Sequence, residues 1–316
     1  MKENLQHKTE TREFREQWIG FIHDTQDRIC DRLEQLDGRT QFKTDNWERL
    51  QGKGGGGITR MISGGNVFEK GGVNSSIVYG SVTARMRKAL HIDGATWFAC
   101  GLSLVLHPAN PFVPTVHANY RYFELYDRED YVCDRWFGGG TDLTPYYLDE
   151  SDATHFHQIY KNACDGFDKR LYPLFKKNCD DYFVNAHRAS ERRGIGGIFF
   201  DRRQPDDEHG LDFWFRFCKG CAEAFFEAYI PIAKKQKNHP YGEQQRRWQE
   251  IRRGRYVEFN LIHDKGTLFG LKTNGRAESI LMSLPPTARF DYDDKPLPGS
   301  DEDRLLQVCL HPREWV

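Results

Sequence analysis

The sequence predicts a single α+β domain over residues 1–316 with antiparallel strands, and three observations lead there. The middle of the chain, at 97–107, 116–126 and 131–137, is dense in β-branched and aromatic residues, and its connections are too short for crossovers. Apolar residues at helical spacing flank that block on both sides. Neither an internal repeat nor a shift of composition marks a linker.

Taken in order, Phe14, Trp18, Ile22, Ile29 and Leu33 define an opening amphipathic helix, with residues 1–14 read as a flexible tail ahead of it. The glycines of 52–57 break all regularity, and the chain up to Tyr79 reads as loops interleaved with short strands. After the strand-rich middle come helices over 152–165 and 171–188, the second with Pro173 in its first turn, where a missing N–H costs little. Residues 195–201 return as a strand. The helix of 211–237 carries Trp214, Cys218, Cys221, Phe225 and Tyr229 on one stripe, and Pro231 is expected to kink or end it. Three more strands are predicted at 256–262, 267–271 and 279–284, with Asp264-Lys265-Gly266 as a hairpin turn, and a short helix at 301–309 closes the chain.

With 45 basic and 46 acidic residues, no global field draws the protein to nucleic acid or anionic lipid. An anionic ligand must then be held by local arginines. Aromatic residues at 14% together with 29 glycines suit a bulky flat ligand approached closely by backbone. The eight cysteines are scattered, unlike the dense framework of a small secreted protein, which points to a reducing compartment. No apolar run nears the roughly 20 residues of a membrane span. Glu3, Glu10 and Glu13 disfavour an acid-poor transit peptide, so the expectation is a cytoplasmic protein.

Strand alternation over 115–121 puts His117, Asn119 and Arg121 on one face and Val116, Ala118 and Tyr120 on the other. A polar triplet on a central strand fits the wall of a ligand cavity; an edge face open to water is the alternative. Ser103, Val105 and His107 alternate in the same way. Trp136-Phe137-Gly138-Gly139-Gly140-Thr141-Asp142 reads as a strand entering a glycine turn that ends in a carboxylate, with Asp142 as an ordinary cap the bland alternative. Asn274-Gly275-Arg276 is a turn whose arginine suits a carboxylate. Cys218 and Cys221 have CxxC spacing but lie on a helical core stripe, and His155 and His157 lack the spacing of a helical zinc pair.

Several long motifs then agree. Ser103-Leu-Val-Leu-His107-Pro, His117-Ala-Asn-Tyr-Arg121, Trp136-Phe-Gly-Gly-Gly-Thr-Asp142, Arg193-Gly-Ile-Gly-Gly-Ile-Phe-Phe-Asp201, Arg252-Arg-Gly-Arg-Tyr-Val-Glu-Phe-Asn and the closing His311-Pro-Arg-Glu-Trp-Val316 resemble the oxygen-dependent coproporphyrinogen III oxidases. The resemblance covers residues 15–316 and implies that family's fold, a large antiparallel sheet flanked by helices on both faces, in a homodimer. It implies oxidative decarboxylation of two propionates of coproporphyrinogen III to vinyl groups in haem biosynthesis, with O2 as co-substrate and no cofactor required. His117 falls where the family assigns a proton donor, Asp142 where a carboxylate faces the pyrrole nitrogens, and Arg121 beside them. Ser103, Asn119, Tyr120, Arg121, Asn274, Gly275 and Arg276 fall in the segments that contact substrate. His107, His157 and His187 match positions assigned to a metal in some bacterial members, whereas eukaryotic ones work without metal. Asn274, Arg202 and Lys265 depart from the family's usual residues.

On this reading the electron-rich substrate itself reduces oxygen. Asp142 accepts pyrrole N–H bonds and favours loss of a proton, oxygen adds to the ring, and a propionate loses hydrogen and carbon dioxide. A metal-dependent oxygenase built on the three histidines and a tetrapyrrole carrier without catalysis are the rival readings.

Overall fold

A computed structural model describes residues 2–49, 54–272 and 275–316. In chain order these form α1 (Lys2–Asp37), β1 (Lys43–Glu48), β2 (Gly54–Ser63), β3 (Phe68–Ser81), α2 (Ala84–Leu90), β4 (Thr96–Pro108), β5 (Thr115–Tyr126) and β6 (Val132–Thr144). There follow α3 (Glu150–Asp165), α4 (Leu171–Tyr182), the two-residue strands β7 (Val184–Asn185) and β8 (Glu191–Arg192), and β9 (Gly196–Arg203). The chain ends with α5 (Leu211–Gln236), α6 (Glu243–Glu258), a π-helical turn (Phe259–His263), α7 (Lys265–Lys272), α8 (Ala277–Leu281) and α9 (Asp301–Leu310).

Seven strands make one antiparallel sheet in the order β1-β2-β3-β4-β5-β6-β9. Period-two alternation splits its residues between two covered faces. Even-numbered residues of β4 and β5, among them Leu102, Leu104, Ala118 and Tyr122, join the main core. Trp18 of α1 donates Nε1 to the Cys100 carbonyl at 3.0 Å, and Phe14 meets Tyr122 edge-on at 5.1 Å. Across the sheet, the segment from α6 to α8 is strapped to the odd-numbered side: Asn74 Nδ2 donates to the Ser279 carbonyl, Lys70 Nζ to Leu284, and the His107 ring stands edge-on to Tyr256 at 5.1 Å. Helices on both faces of an antiparallel sheet are the predicted α+β fold.

Four expectations need correction. First, α1 begins at Lys2 and takes in the residues read as a tail, and Thr11 is already buried. Second, the glycine-rich stretch is not irregular: Gly54–Gly57 open β2, with Gly55 at φ +89 and a Cβ there within 2.0 Å of the Ile77 carbonyl oxygen, so a side chain is excluded where strands pack tightly. Third, β6 continues through Gly138–Gly140 with no turn, only an irregularity in its pairing with β9 between Phe137 and Gly139. Fourth, the three strands predicted within 256–284 are helical, and Lys265 opens α7 instead of a hairpin. Beside the buried Trp248, Ile251 and Glu258, one buried stripe of α6 and its π turn is Gln249, Arg252, Arg253, Tyr256, Phe259 and Asn260. That spacing is helical, but four of the six are arginine or amide, so an apolar count cannot see it.

Pro231 does not end α5. Its missing N–H leaves the Glu227 carbonyl without its helical donor, and His155 Nε2 donates to that oxygen at 2.8 Å instead.

His107 and His157 are both buried, and desolvation pushes each down to about 3 although carbonyls of Ser283 and Ile195 accept from them. Unfolded histidines charge near pH 6.5. Below that pH the unfolded chain therefore binds two protons that the folded one refuses until about pH 3, so stability falls with acidification, at a slope approaching about 2.7 kcal/mol per pH unit. Urea midpoints at pH 7, 6 and 5 should step downward; a midpoint constant over that range contradicts the buried neutral state.

Candidate active site

Register builds the site on one face of the sheet, to which β1, β2, β4 and β5 contribute odd-numbered residues and β3 and β6 even-numbered ones. One row aligns Asp45, Thr59, Asn74, Ser103, Asn119 and Gly140 across six strands. The next aligns Trp47, Gly57, Ser76, Gly101, Arg121 and Gly138, and on the other side Gly72, Val105, His117 and Asp142 stand abreast. Thr59, Asn74 and Gly72 lie under Ser279 and Met282 of the α8 segment, and the open part of the surface is a floor of Gly57, Ser76, Gly101, Ser103 and Asn119, low enough for a flat ligand to lie against backbone. Strand spacing separates Asp45 from Asn119 by roughly 19 Å.

At the closed end Asp142 is 3% exposed and both its oxygens are engaged: Oδ1 accepts from His117 Nδ1 at 3.1 Å, Oδ2 from Arg193 Nη2 at 2.7 Å. Arg193 is 2% exposed, walled by Phe183, Tyr256 and Phe259 with ring centroids at 4.1, 4.9 and 5.1 Å, and reaches Asn260 Oδ1 at 3.3 Å. Burial alone would raise the Asp142 carboxyl, but the Arg193 charge and the hydrogen bonds from His117 and Arg193 hold it below the ordinary carboxylate value. It is a fixed anion. An ionised Asp142 requires the proton on His117 Nδ1, which leaves Nε2 as the basic nitrogen of a ring that is partly exposed to the cleft.

Two guanidinium groups border the floor. Arg121 donates Nη1 to Asn119 Oδ1 and Nη2 to Asp201 Oδ1, each at 2.7 Å, and lies flat over Gly138. Arg276 donates Nη2 to Asp45 Oδ2 at 2.6 Å at the β1 end. Both pairs are partly exposed to water. A Cβ at Gly138 would fall 2.8–2.9 Å from the Arg121 guanidinium. Gly138→Ala should therefore displace a flexible head without unfolding the sheet, raising KM for a carboxylate substrate about tenfold. Steady-state kinetics on the folded variant check this; an unchanged KM sinks the placement of Arg121.

The structure thus gathers His117, Asp142, Asn119, Arg121 and Ser103 on one face, with Gly275 and Arg276 at its far border; Asn274 lies outside the described residues. Tyr120 is a correction. Its side chain is buried on the opposite face, where its hydroxyl meets Thr141 Oγ1 at 2.8 Å, which leaves only its backbone on the cleft strand. The proposed metal ligands are a second correction. His107 bonds Ser283, His157 bonds Tyr172 and Ile195, and His187 bonds His263 and Glu258, and the three do not gather at one point. Among the described residues the one group able to share an ion is Asp168, Glu208 and His209, beside an open hollow of about 460 Å³ that none of the predicted site residues lines. Cys218 and Cys221 are fully buried, and burial drives both thiols up. Sequence reasoning missed Arg193 as the partner of Asp142, and missed Asp201 and Asp45 as partners of the border arginines. These pairs span 51, 80 and 231 positions, so no local pattern marks them.

A family model described as coproporphyrinogen III oxidase matches residues 17–315. The oxygen-dependent coproporphyrinogen-III oxidase of Glycine max chloroplasts is 51% identical over 306 residues, covering 94% of this chain and 78% of that protein. The mitochondrial protein of the same name from Rattus norvegicus is 52% identical over 307 residues, 94% and 68% of the two chains. That of Drosophila melanogaster is 49% identical over 325 residues, 100% and 79%.

Proposed function

The chain belongs to the coproporphyrinogen III oxidase family, and from that premise we propose how its own residues perform the oxygen-dependent oxidation of coproporphyrinogen III in haem biosynthesis. The enzyme is an oxidoreductase. In each of two steps a propionate loses CO2 and a β-hydrogen, leaving a vinyl group, while two electrons reduce O2 to hydrogen peroxide. The observation that carries the assignment of roles is the His117–Asp142 pair at one side of a glycine floor bordered by Arg121 and Arg276.

The macrocycle lies on the floor, with propionates replacing Asp201 at Arg121 and Asp45 at Arg276. Ser103 and Asn119, mid-floor, serve its polar edge. Asp142 acts as a permanent negative charge beneath the pyrroles and as the anchor of the His117 tautomer, and His117 moves the proton through Nε2. This departs from the expectation that Asp142 takes the proton itself, because a carboxylate paired to a buried guanidinium is too weak a base. The proposed roles need no metal, because the electron-rich substrate supplies the electrons.

A cytoplasmic setting is proposed on the eight unpaired cysteines, although the named soybean and rat relatives are organellar. No helix among the described residues is long and apolar enough to cross a membrane. A homodimer is proposed because Leu261, Ile262 and Leu271 are exposed within one short segment. Light scattering on the purified chain checks its mass.

Mass spectrometry after aerobic incubation with coproporphyrinogen III, with and without EDTA, tests the reaction. Two carboxyl groups should be lost in both samples. An unchanged carboxyl count from folded protein in air overturns the function, and loss of activity with EDTA that returning a metal restores overturns the metal-free mechanism.

A further inference from the structure

The three arginines of the cleft described so far each answer to a carboxylate of the chain: Arg121 to Asp201, Arg276 to Asp45, Arg193 to Asp142. Arg49 does not. It follows β1, its N–H donates to the Gly55 carbonyl at 2.9 Å, and it continues the alternation that puts Asp45 and Trp47 on the cleft face. Its guanidinium stands 5.6 Å from the ring centroid of Trp97, whose indole reaches from β4 over the end of β3 to donate to the Ser81 carbonyl and stacks on Phe123 on that same face. Among the described residues it makes no ion pair, and its Nη1 is buried with no hydrogen-bond partner. Burial without a counter-charge depresses its pKa.

A half-buried guanidinium with an orphaned N–H is costly unless something that comes and goes completes it. The ring of Trp97 fixes its plane, so the donors are already oriented when a planar acceptor arrives. Coproporphyrinogen carries four propionates, while Arg121 and Arg276 provide for two. We propose that Arg49 is a third carboxylate site of the cleft, holding a substrate propionate over the glycine floor. This inference rests on the function proposed above and adds a specificity residue to it: a macrocycle lacking an acidic arm at that corner leaves Arg49 unsatisfied.

The test uses Arg49→Gln and Arg49→Lys. Fluorescence titration gives Kd for coproporphyrin III, the oxidised, unreactive macrocycle with the same four acids, and for its uncharged tetramethyl ester; kinetics give KM and kcat for coproporphyrinogen III. The Gln variant should bind the tetra-acid about tenfold more weakly and raise KM by a similar factor with kcat little changed. Lys should recover part of the loss, and ester binding should match the parent. Unchanged tetra-acid affinity in the Gln variant overturns the inference, as does an equal loss for acid and ester, which would mean that Arg49 only shapes the cleft. Failure of the parent enzyme to turn over coproporphyrinogen would instead strike the proposed function.

Discussion

Asp142→Asn should lose at least about a hundredfold in kcat while the chain still folds. The substitution is nearly isosteric, so the sheet has no steric reason to change. What changes is donor and acceptor count: Asp142 accepts from His117 on one oxygen and from Arg193 on the other, and an amide can accept on only one. If the amide oxygen stays with Arg193, its NH2 faces His117 Nδ1 and forces the proton onto Nε2, the nitrogen that must be basic. If the amide turns around, NH2 meets a buried guanidinium and the pair repels. Either way the fixed negative charge beneath the pyrroles is gone. Stopped-time assays with circular dichroism on the same sample decide the matter, and near-normal turnover in folded protein would refute the role.

The second large effect is on stability. Arg193→Met removes the charge partner of a carboxylate that is itself 3% exposed, and breaking one side of such a pair costs about 3–5 kcal/mol. Methionine keeps much of the apolar contact with Phe183, Tyr256 and Phe259, so the loss reports the stranded charge and not a cavity. In Arg193→Met the Asp142 carboxyl should rise above its ordinary value, so the variant should lose stability less steeply than the parent as pH falls towards it, the proton gained at Asp142 offsetting part of the loss at His107 and His157. At this group the parent behaves oppositely: its depressed Asp142 stabilises above pH 4 and that contribution is lost as pH drops through the folded value. Urea unfolding of both proteins between pH 7 and 4 separates the two slopes; parallel slopes would mean that Arg193 does not set the charge of Asp142.

The readable part of the site was the part that lies on one strand. His117, Asn119 and Arg121 are two apart, and a strand projects such residues onto one face whatever its neighbours do. Asp142 was legible by resemblance, and the pairing of β5 with β6 then sets it opposite His117. For Tyr120 the same alternation puts the side chain on the far face, while the resemblance marks only the segment it belongs to. The region 256–284 was misread because helical propensity and burial pulled apart: the inward face of α6 is held by ion pairs of Arg252 with Glu191 and Arg253 with Glu69, whose partners are remote in sequence. The glycines of β2 and β6 looked like turns because a missing side chain signals both a bend and a place where another chain segment presses close. Only the register tells which.

Asp201 and Asp45 pair with Arg121 and Arg276, the groups proposed to take substrate acids. Binding is then an exchange of one anion for another at each arginine, and so it should depend less on salt than an unpaired basic groove would. The same tethered acids stand ready when an arm has been converted to an uncharged vinyl group: nothing remains to outbid them, and the spent macrocycle is displaced from its moorings by the protein's own side chains.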